Sequence, residues 1–148
     1  MTVKILSNPK MKRKADELKL FRRKIKELDR LFGLHIRNHF AIDGICYCYT
    51  CGKPFFKHDM KRLNCGHYHS RSYYSIRWNI NNARPQCVAC NCWGHGKQEK
   101  FGEKLLHELG DNLFYSLLAG RNKHKPTIFK LDYLINDYKN KLEEQSHG

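Results

Sequence analysis

Two Cys-x-x-Cys pairs, "CYTC" at Cys48–Cys51 and "CVAC" at Cys87–Cys90, bracket thirty-five residues (52 to 86) that include "CGHYHSR". A knuckle turn brings positions i and i+3 onto one ion, and zinc takes four thiolate or imidazole ligands in a tetrahedron. Cys48, Cys51, Cys87 and Cys90 are therefore read as the ligands of a structural Zn²⁺. The glycine of "CYTCGKP" suits the tight turn after the second cysteine. Buried free cysteines are the competing reading, and the polar, loop-rich flanks argue against it. Cys46, Cys65 and Cys92 are spare thiols or substitute ligands in a shifted register. Four cysteines saturate the ion, which leaves His67 and His69 for other work.

Three further positions form a second set. His67 follows a glycine, Asn82 stands fifteen residues later, and Asn91 comes nine residues after that, directly behind the last zinc ligand. In "GHYHSR…NNARPQC..CN" these positions resemble the HNH (ββα-metal) nuclease motif in its zinc-supported form. The resemblance implies that His67 is the general base, which suits an imidazole titrating near neutral pH. It implies that Asn91 binds a catalytic Mg²⁺ or Mn²⁺ through its side-chain oxygen. Asn82 would hold the backbone near His67 in place. Each residue also has a plainer reading: Asn82 as a turn residue, Asn91 as a helix N-cap, His69 as a surface or phosphate-contacting histidine.

A wider likeness covers the chain from about Leu31 to the C-terminal helix. "RLFGLHIR", "CYTCGKP", "GHYHSR", "IRWNINNARPQC", "CNCWGHGKQ" and "LLHELG" together resemble the phage NinG/Rap recombination proteins. That resemblance implies a structure-selective DNA endonuclease acting on Holliday junctions, D-loops and other branched recombination intermediates. It implies 5′-phosphate and 3′-hydroxyl products and phage recombination proteins as partners. One departure stands out. Many HNH sites carry aspartate immediately before the histidine, and here that position is Gly66. The metal would then be completed by His69, on the same strand face as His67, or by His95, four residues after Asn91 on a helix. A site this poor in carboxylates favours Mn²⁺ or Ni²⁺ over Mg²⁺.

The rest of the chain must position these groups. Twenty-eight Lys and Arg against fourteen Asp and Glu give a net charge of +14, which points to a polyanionic partner. Between Gly44 and Lys97 the sole carboxylate is Asp59, so the cysteine segment is also the least repelled by phosphate. Arg71, Arg77, Arg84 and Lys97 surround the motif and are the expected DNA contacts. Trp78 and Trp93 read as core aromatics rather than stacking platforms. No stretch reaches the roughly 18–20 apolar residues of a membrane span, and no secretory h-region is evident, which predicts a cytoplasmic protein (the host cytoplasm if phage-encoded).

After a short apolar start, "VKIL", Asn8-Pro9 signals a helix start, and Leu18, Phe21, Ile25, Leu28 and Phe32 mark one face as far as about Asn38. That stripe packs on the protein's own core or forms a coiled-coil seam. "YSIRW" (74–78) is read as a short strand and "NINN" as a turn. Helix is expected again from about Asn91, with Phe101, Leu105, Leu106 and Leu109 ending near a Gly110 C-cap. A short helix (113–119), a basic turn "GRNKHKP" and a last amphipathic helix from Ile128 follow. The fold class is α+β: a zinc-supported HNH, treble-clef-like centre between a long N-terminal helix and C-terminal helices. Its regions are an arm (1–43), a nuclease core (44–110) and a helical extension (111–148), forming one unit. Junction resolution needs two nicks, so a homodimer through the first helix is expected. Two other functions compete: a non-catalytic zinc-stabilised DNA-binding protein and a sequence-selective HNH nicking enzyme.

Overall fold

Asn8 caps the first helix, its Oδ1 accepting from the Lys10 amide at 3.0 Å, with Pro9 in the first helical position where no N–H is needed. The computed structural model describes residues 8–148, and "VKIL" lies outside them. Helix α1 runs Pro9–His39. Leu28, Leu31, Phe32 and Ile36 of α1 are buried against Leu131, Ile135 and Tyr138, with Phe21 and Ile25 packed at the margin. The stripe therefore serves the protein's own core from Phe21 onward. Leu18 is 41 % exposed, and residues 8–19 are all exposed, so this stretch of α1 projects clear of the body.

Strands β1 (Ile45–Tyr47) and β2 (Pro54–Phe56) form an antiparallel hairpin whose tip carries "CYTC". A 3₁₀ stretch, Lys57–Arg62, leads to β3 (Leu63–His67), which pairs antiparallel with β4 (Ala83–Cys87). The register sets Leu63 opposite Cys87 and His67 opposite Ala83. The histidine and the third zinc-type cysteine thus occupy opposite ends of one two-stranded ribbon.

Residues 74–78 are not a strand. Their backbone closes i→i+3 turns, with Ile76 N–H on Tyr73 O at 3.1 Å and Asn79 N–H on Ile76 O at 3.2 Å. The Trp78 carbonyl accepts from the Tyr138 hydroxyl at 2.8 Å, so groups a ladder would need are committed elsewhere. Nor does a regular helix start at Asn91. A single π-helical turn (Ala89–Trp93) and a 3₁₀ turn (His95–Lys97) come first, with positive φ at His95, Gly96 and Lys97. Helix α2 (Gln98–Ala119) starts only after this break and bends at Gly110, whose φ of 75° and ψ of 167° divide it where the apolar pattern changes. Its buried Phe101, Leu105, Phe114 and Leu117 close on Ile76 and on Tyr49, Tyr68 and Tyr73. Thr127 caps α3 (Ile128–His147), which returns along α1. Among the described residues the architecture is α+β: three helices around two small antiparallel ribbons. Among the described residues no helix is long and apolar enough to cross a membrane.

Candidate metal centre and basic cavity

The β1–β2 hairpin supplies Cys48 and Cys51, and the end of β4 with the following turn supplies Cys87 and Cys90. The four sulfurs lie within 4.8 Å of one another. Cys51 Sγ and Cys87 Sγ are 3.8 Å apart, the edge of a tetrahedron with metal–sulfur bonds of about 2.3 Å. Knuckle amides point at the sulfurs, from Cys87 N–H to Cys48 Sγ at 3.3 Å and from Cys90 N–H to Cys87 Sγ at 3.4 Å. Burial works against a Cys48 thiolate, but the amides of Cys87, Cys51 and Thr50 and the Thr50 hydroxyl outweigh it and bring its pKa down to about 6. The arrangement is built for a metal ion. Cys46 and Cys65 stand outside the quartet, and burial holds their thiols up at about 11 and about 12. Cys92 is exposed and also outside it. The unshifted register of the two pairs is the one the fold assembles.

His67 ends β3 with its ring beside Phe32 of α1, centroids 5.9 Å apart. Its Nε2 lies 2.8 Å from the Arg77 carbonyl oxygen. A carbonyl only accepts, so Nε2 carries the hydrogen and Nδ1 is left with its lone pair. Burial lowers the His67 pKa; the Arg77 bond opposes this and Arg71 adds to it. Asn82 is fully buried and closes the loop that follows His67. Its Oδ1 accepts from His69 N–H at 2.8 Å, and its Nδ2 donates to the carbonyls of His69 at 3.1 Å and Ile76 at 3.2 Å. It also ends a 3₁₀ turn, so the turn reading and the loop-holding reading describe the same residue.

His67 and Asn91 line one cavity of about 610 Å³, together with Asn64, Cys65, Ser70 and Cys92. Arg30 and Arg37 of α1 and Arg71 of the loop form its basic wall. Asp29 of α1 is the one carboxylate in the lining. Its Oδ1 accepts from Arg77 Nε at 3.0 Å and from the Trp78 indole at 2.9 Å, and its Oδ2 accepts from Arg77 at 2.6 Å. Asp29 therefore clamps the residue whose carbonyl orients His67. Sequence reasoning missed it. The available signal was a carboxylate four residues after Ile25 and three before Phe32, on the buried face of α1.

Several expected site residues lie elsewhere. His69 does not line the cavity; its ring packs beside Tyr68 at 4.5 Å, and burial and then Arg121 lower its pKa. Strand β3 ends at His67, so the two-residue alternation expected to place both histidines on one face does not continue to His69. His95 is exposed and outside the lining, because the backbone breaks before it instead of continuing a helix from Asn91. Lys97 is likewise exposed and outside it, in left-handed conformation just before α2. Arg84 is only 2 % exposed. It donates to Glu108 at 2.8 Å and to the carbonyls of Ile80 and Ala83, both at 2.7 Å, over the Phe40 ring. It joins β4 to α2 and is not a surface phosphate contact. Arg77 is engaged by Asp29. Arg71 does reach the cavity. Trp78 is core as expected, whereas Trp93 is 81 % exposed and is not.

Among curated proteins, "Protein ninG" of Escherichia phage lambda is 24 % identical over 98 residues, covering 66 % of this chain. The matched region is 46 % of that protein, so less than half of its length is represented here. No solved structure matches. The family model described as "Bacteriophage Lambda NinG protein" matches residues 6–147. With cysteine quartet, ribbon and helices all inside that span, the chain belongs to the NinG family.

Proposed function

We propose that this chain is a divalent-metal-dependent DNA endonuclease acting on Holliday junctions and other branched recombination intermediates, with an HNH-like centre supported by zinc. The observation that carries the reading is His67: Nε2 is tied to a backbone carbonyl, and the ring lines an arginine-walled cavity shared with Asn91. A ring so tied, beside arginines, supports the reading of a base next to a phosphate.

The four thiolates suit zinc, whose part is to hold the β1–β2 tip against β4 and the turn that carries Asn91. Asn91 lines the cavity, and its amide oxygen is the atom that would hold a second, hard cation there. The chemistry such a cation would supply, when bound, is stabilisation of the negative charge developing on the phosphate. The Asp29 oxygens already serve Arg77 and Trp78. Nδ1 of neutral His67 takes the proton of the water that attacks phosphorus, the P–O3′ bond breaks, the leaving O3′ takes a proton from solvent, and a 3′-hydroxyl and a 5′-phosphate result. Asn82 holds the loop on which the Arg77 carbonyl sits, and Arg30, Arg37 and Arg71 hold the strand. Selectivity for branched DNA rests on family membership, and paired nicking calls for two copies at one junction.

A zinc-stabilised binding protein without catalysis is the second reading. It is favoured by Gly66, which offers no ligand and where a Cβ would stand 2.2 Å from Gln86 Oε1, so a ligand-bearing side chain would have to displace the Gln86 amide. Cleavage of a labelled four-way junction beside linear duplex, with Mg²⁺, Mn²⁺ or chelator, separates the two. The endonuclease reading expects metal-dependent junction cutting that His67→Ala abolishes while binding persists. Tight binding with no cutting in any metal would establish the second reading.

A further inference from the structure

Trp93 is the most exposed aromatic near the cavity. It is 81 % exposed, against 8 % for Trp78, and among the described residues no ring stacks on it and no cation covers it. It ends the π-helical turn whose preceding residues, Asn91 and Cys92, line the cavity with His67. The backbone there is fixed from both sides. Cys90 belongs to the metal quartet, and Gly94 N–H closes on the Ala89 carbonyl at 2.7 Å. A Cβ at Gly94 would meet the Cys90 carbonyl at 2.8 Å, so the turn is packed tightly against itself. The indole is thus exposed on a tightly closed turn that adjoins the cavity lining in the chain and follows directly on the cysteine quartet.

A single exposed aromatic needs no explanation by itself, but an indole beside a basic cavity is a surface on which a base can stack. The adjoining cavity is walled by Arg30, Arg37 and Arg71, and the chain carries +14, which attracts a polyanion. Inside a linear duplex every base face is covered by its neighbours. Where the arms of a branched intermediate unstack at the branch point a base face opens, and aromatic side chains bind such faces without regard to sequence. We propose that Trp93 stacks on an unstacked base at the branch and is the residue by which this chain distinguishes branched from linear DNA. The inference rests on the DNA-binding part of the reading above and does not require cutting.

The test uses full-length, zinc-loaded protein and its two tryptophans. Trp93→Phe leaves Trp78 as the sole indole and provides the baseline for the Trp93 emission of the wild type. Titration with a four-way junction, a single-stranded oligothymidine and a linear duplex is followed by indole emission and, separately, by anisotropy of labelled DNA. Junction and single strand should quench Trp93, and duplex should not. Trp93→Ala should weaken junction binding roughly five- to a hundred-fold, the range of one lost base–aromatic stack, and leave duplex binding within about two-fold. Trp93→Phe should recover most of the affinity. Junction binding by anisotropy without any change in Trp93 emission, or an equal loss on junction and duplex, would overturn the inference and leave the endonuclease reading standing. Absence of binding to any DNA would remove both. Concentration-dependent dimerisation without DNA that Trp93→Ala abolishes would assign the indole to a protein interface instead.

Discussion

Arg84 and Arg71 are both basic residues beside the motif, and their surroundings divide their roles. Arg84 is buried under Phe40 with its charge on Glu108, whereas the Arg71 side chain is 62 % exposed at the cavity. Arg84→Met should lower unfolding stability by about 1–3 kcal/mol, read by denaturant unfolding, because four bonds go, although the half-exposed Glu108 is rehydrated. It should leave the salt dependence of DNA binding unchanged. Arg71→Ala should do the reverse, keeping stability and reducing the log–log salt slope of binding by about 1. At His67 the sign of the pH effect follows from burial. Its folded pKa lies below the ordinary 6.5, so the neutral base persists as pH falls through 6.5. The rising limb of cleavage against pH should therefore have its midpoint below 6.5, and a midpoint above it would contradict a buried base. The same depression, shared by His35 and His69, makes stability complete above the unfolded pKa of 6.5 and erodes it as pH falls toward the folded values. Thermal unfolding at about pH 7.5 and about pH 5 checks this, with the lower midpoint expected at the acid end.

At the scale of elements, the β3–β4 ribbon decides what stands beside His67. Gln86 lies over Gly66 and donates to Thr50 at 3.1 Å and to the Gly96 carbonyl at 2.8 Å. That one side chain ties the ribbon to the hairpin tip and to the turn before α2. A carboxylate at position 66 would displace it, so the missing aspartate reflects packing as well as chemistry. Gly66→Ala should destabilise by about 1–3 kcal/mol through overpacking, measured by chemical denaturation. Gly66→Asp should lose stability without gaining metal affinity; unchanged stability in either variant would show that Gln86 does not occupy this space. The turn from Ala89 to Lys97 acts similarly. Its π and 3₁₀ geometry leaves Asn91 in the cavity lining and Trp93 exposed, and the break before α2 takes His95 out of the lining that a continuous helix from Asn91 would have given it.

Across the whole molecule the apolar residues fall into separate clusters. One joins α1 and α3, one surrounds the cysteine quartet with Phe55 and Leu63, and one seats α2. The middle cluster is small and made largely of the cysteines themselves, so it depends on the ion more than the others do. The protein should carry one zinc per chain by elemental analysis. Stripping it with a strong chelator should abolish DNA binding and lower the thermal midpoint, while much of the far-ultraviolet helical signal of α1 and α3 survives. A midpoint indifferent to chelation would show that the quartet does not hold a structural ion. The projecting start of α1, with Lys10, Lys12, Arg13, Lys14 and Lys19 exposed, adds charge far from the cavity and belongs to the long-range attraction of a polyanion.

Short-range patterns were legible in the order of residues alone. The Cys-x-x-Cys pairs, the cap and stripe of α1, the division of α2 at Gly110 and the helix from Ile128 each depend on neighbours a few positions apart, where periodicity and turn chemistry act. The place of Asn82 as the loop's tie was legible through likeness to a motif. What the tertiary structure decided was every pairing across long separations. Asp29 meets Arg77 forty-eight residues away, Arg84 sinks against Glu108, and the Gln86 amide fills the space beside Gly66. His69 and His95 leave the site because strand and helix end before them. Such choices depend on which buried charge finds a partner and which backbone group is already bonded. Those balances exist only once distant segments are packed together.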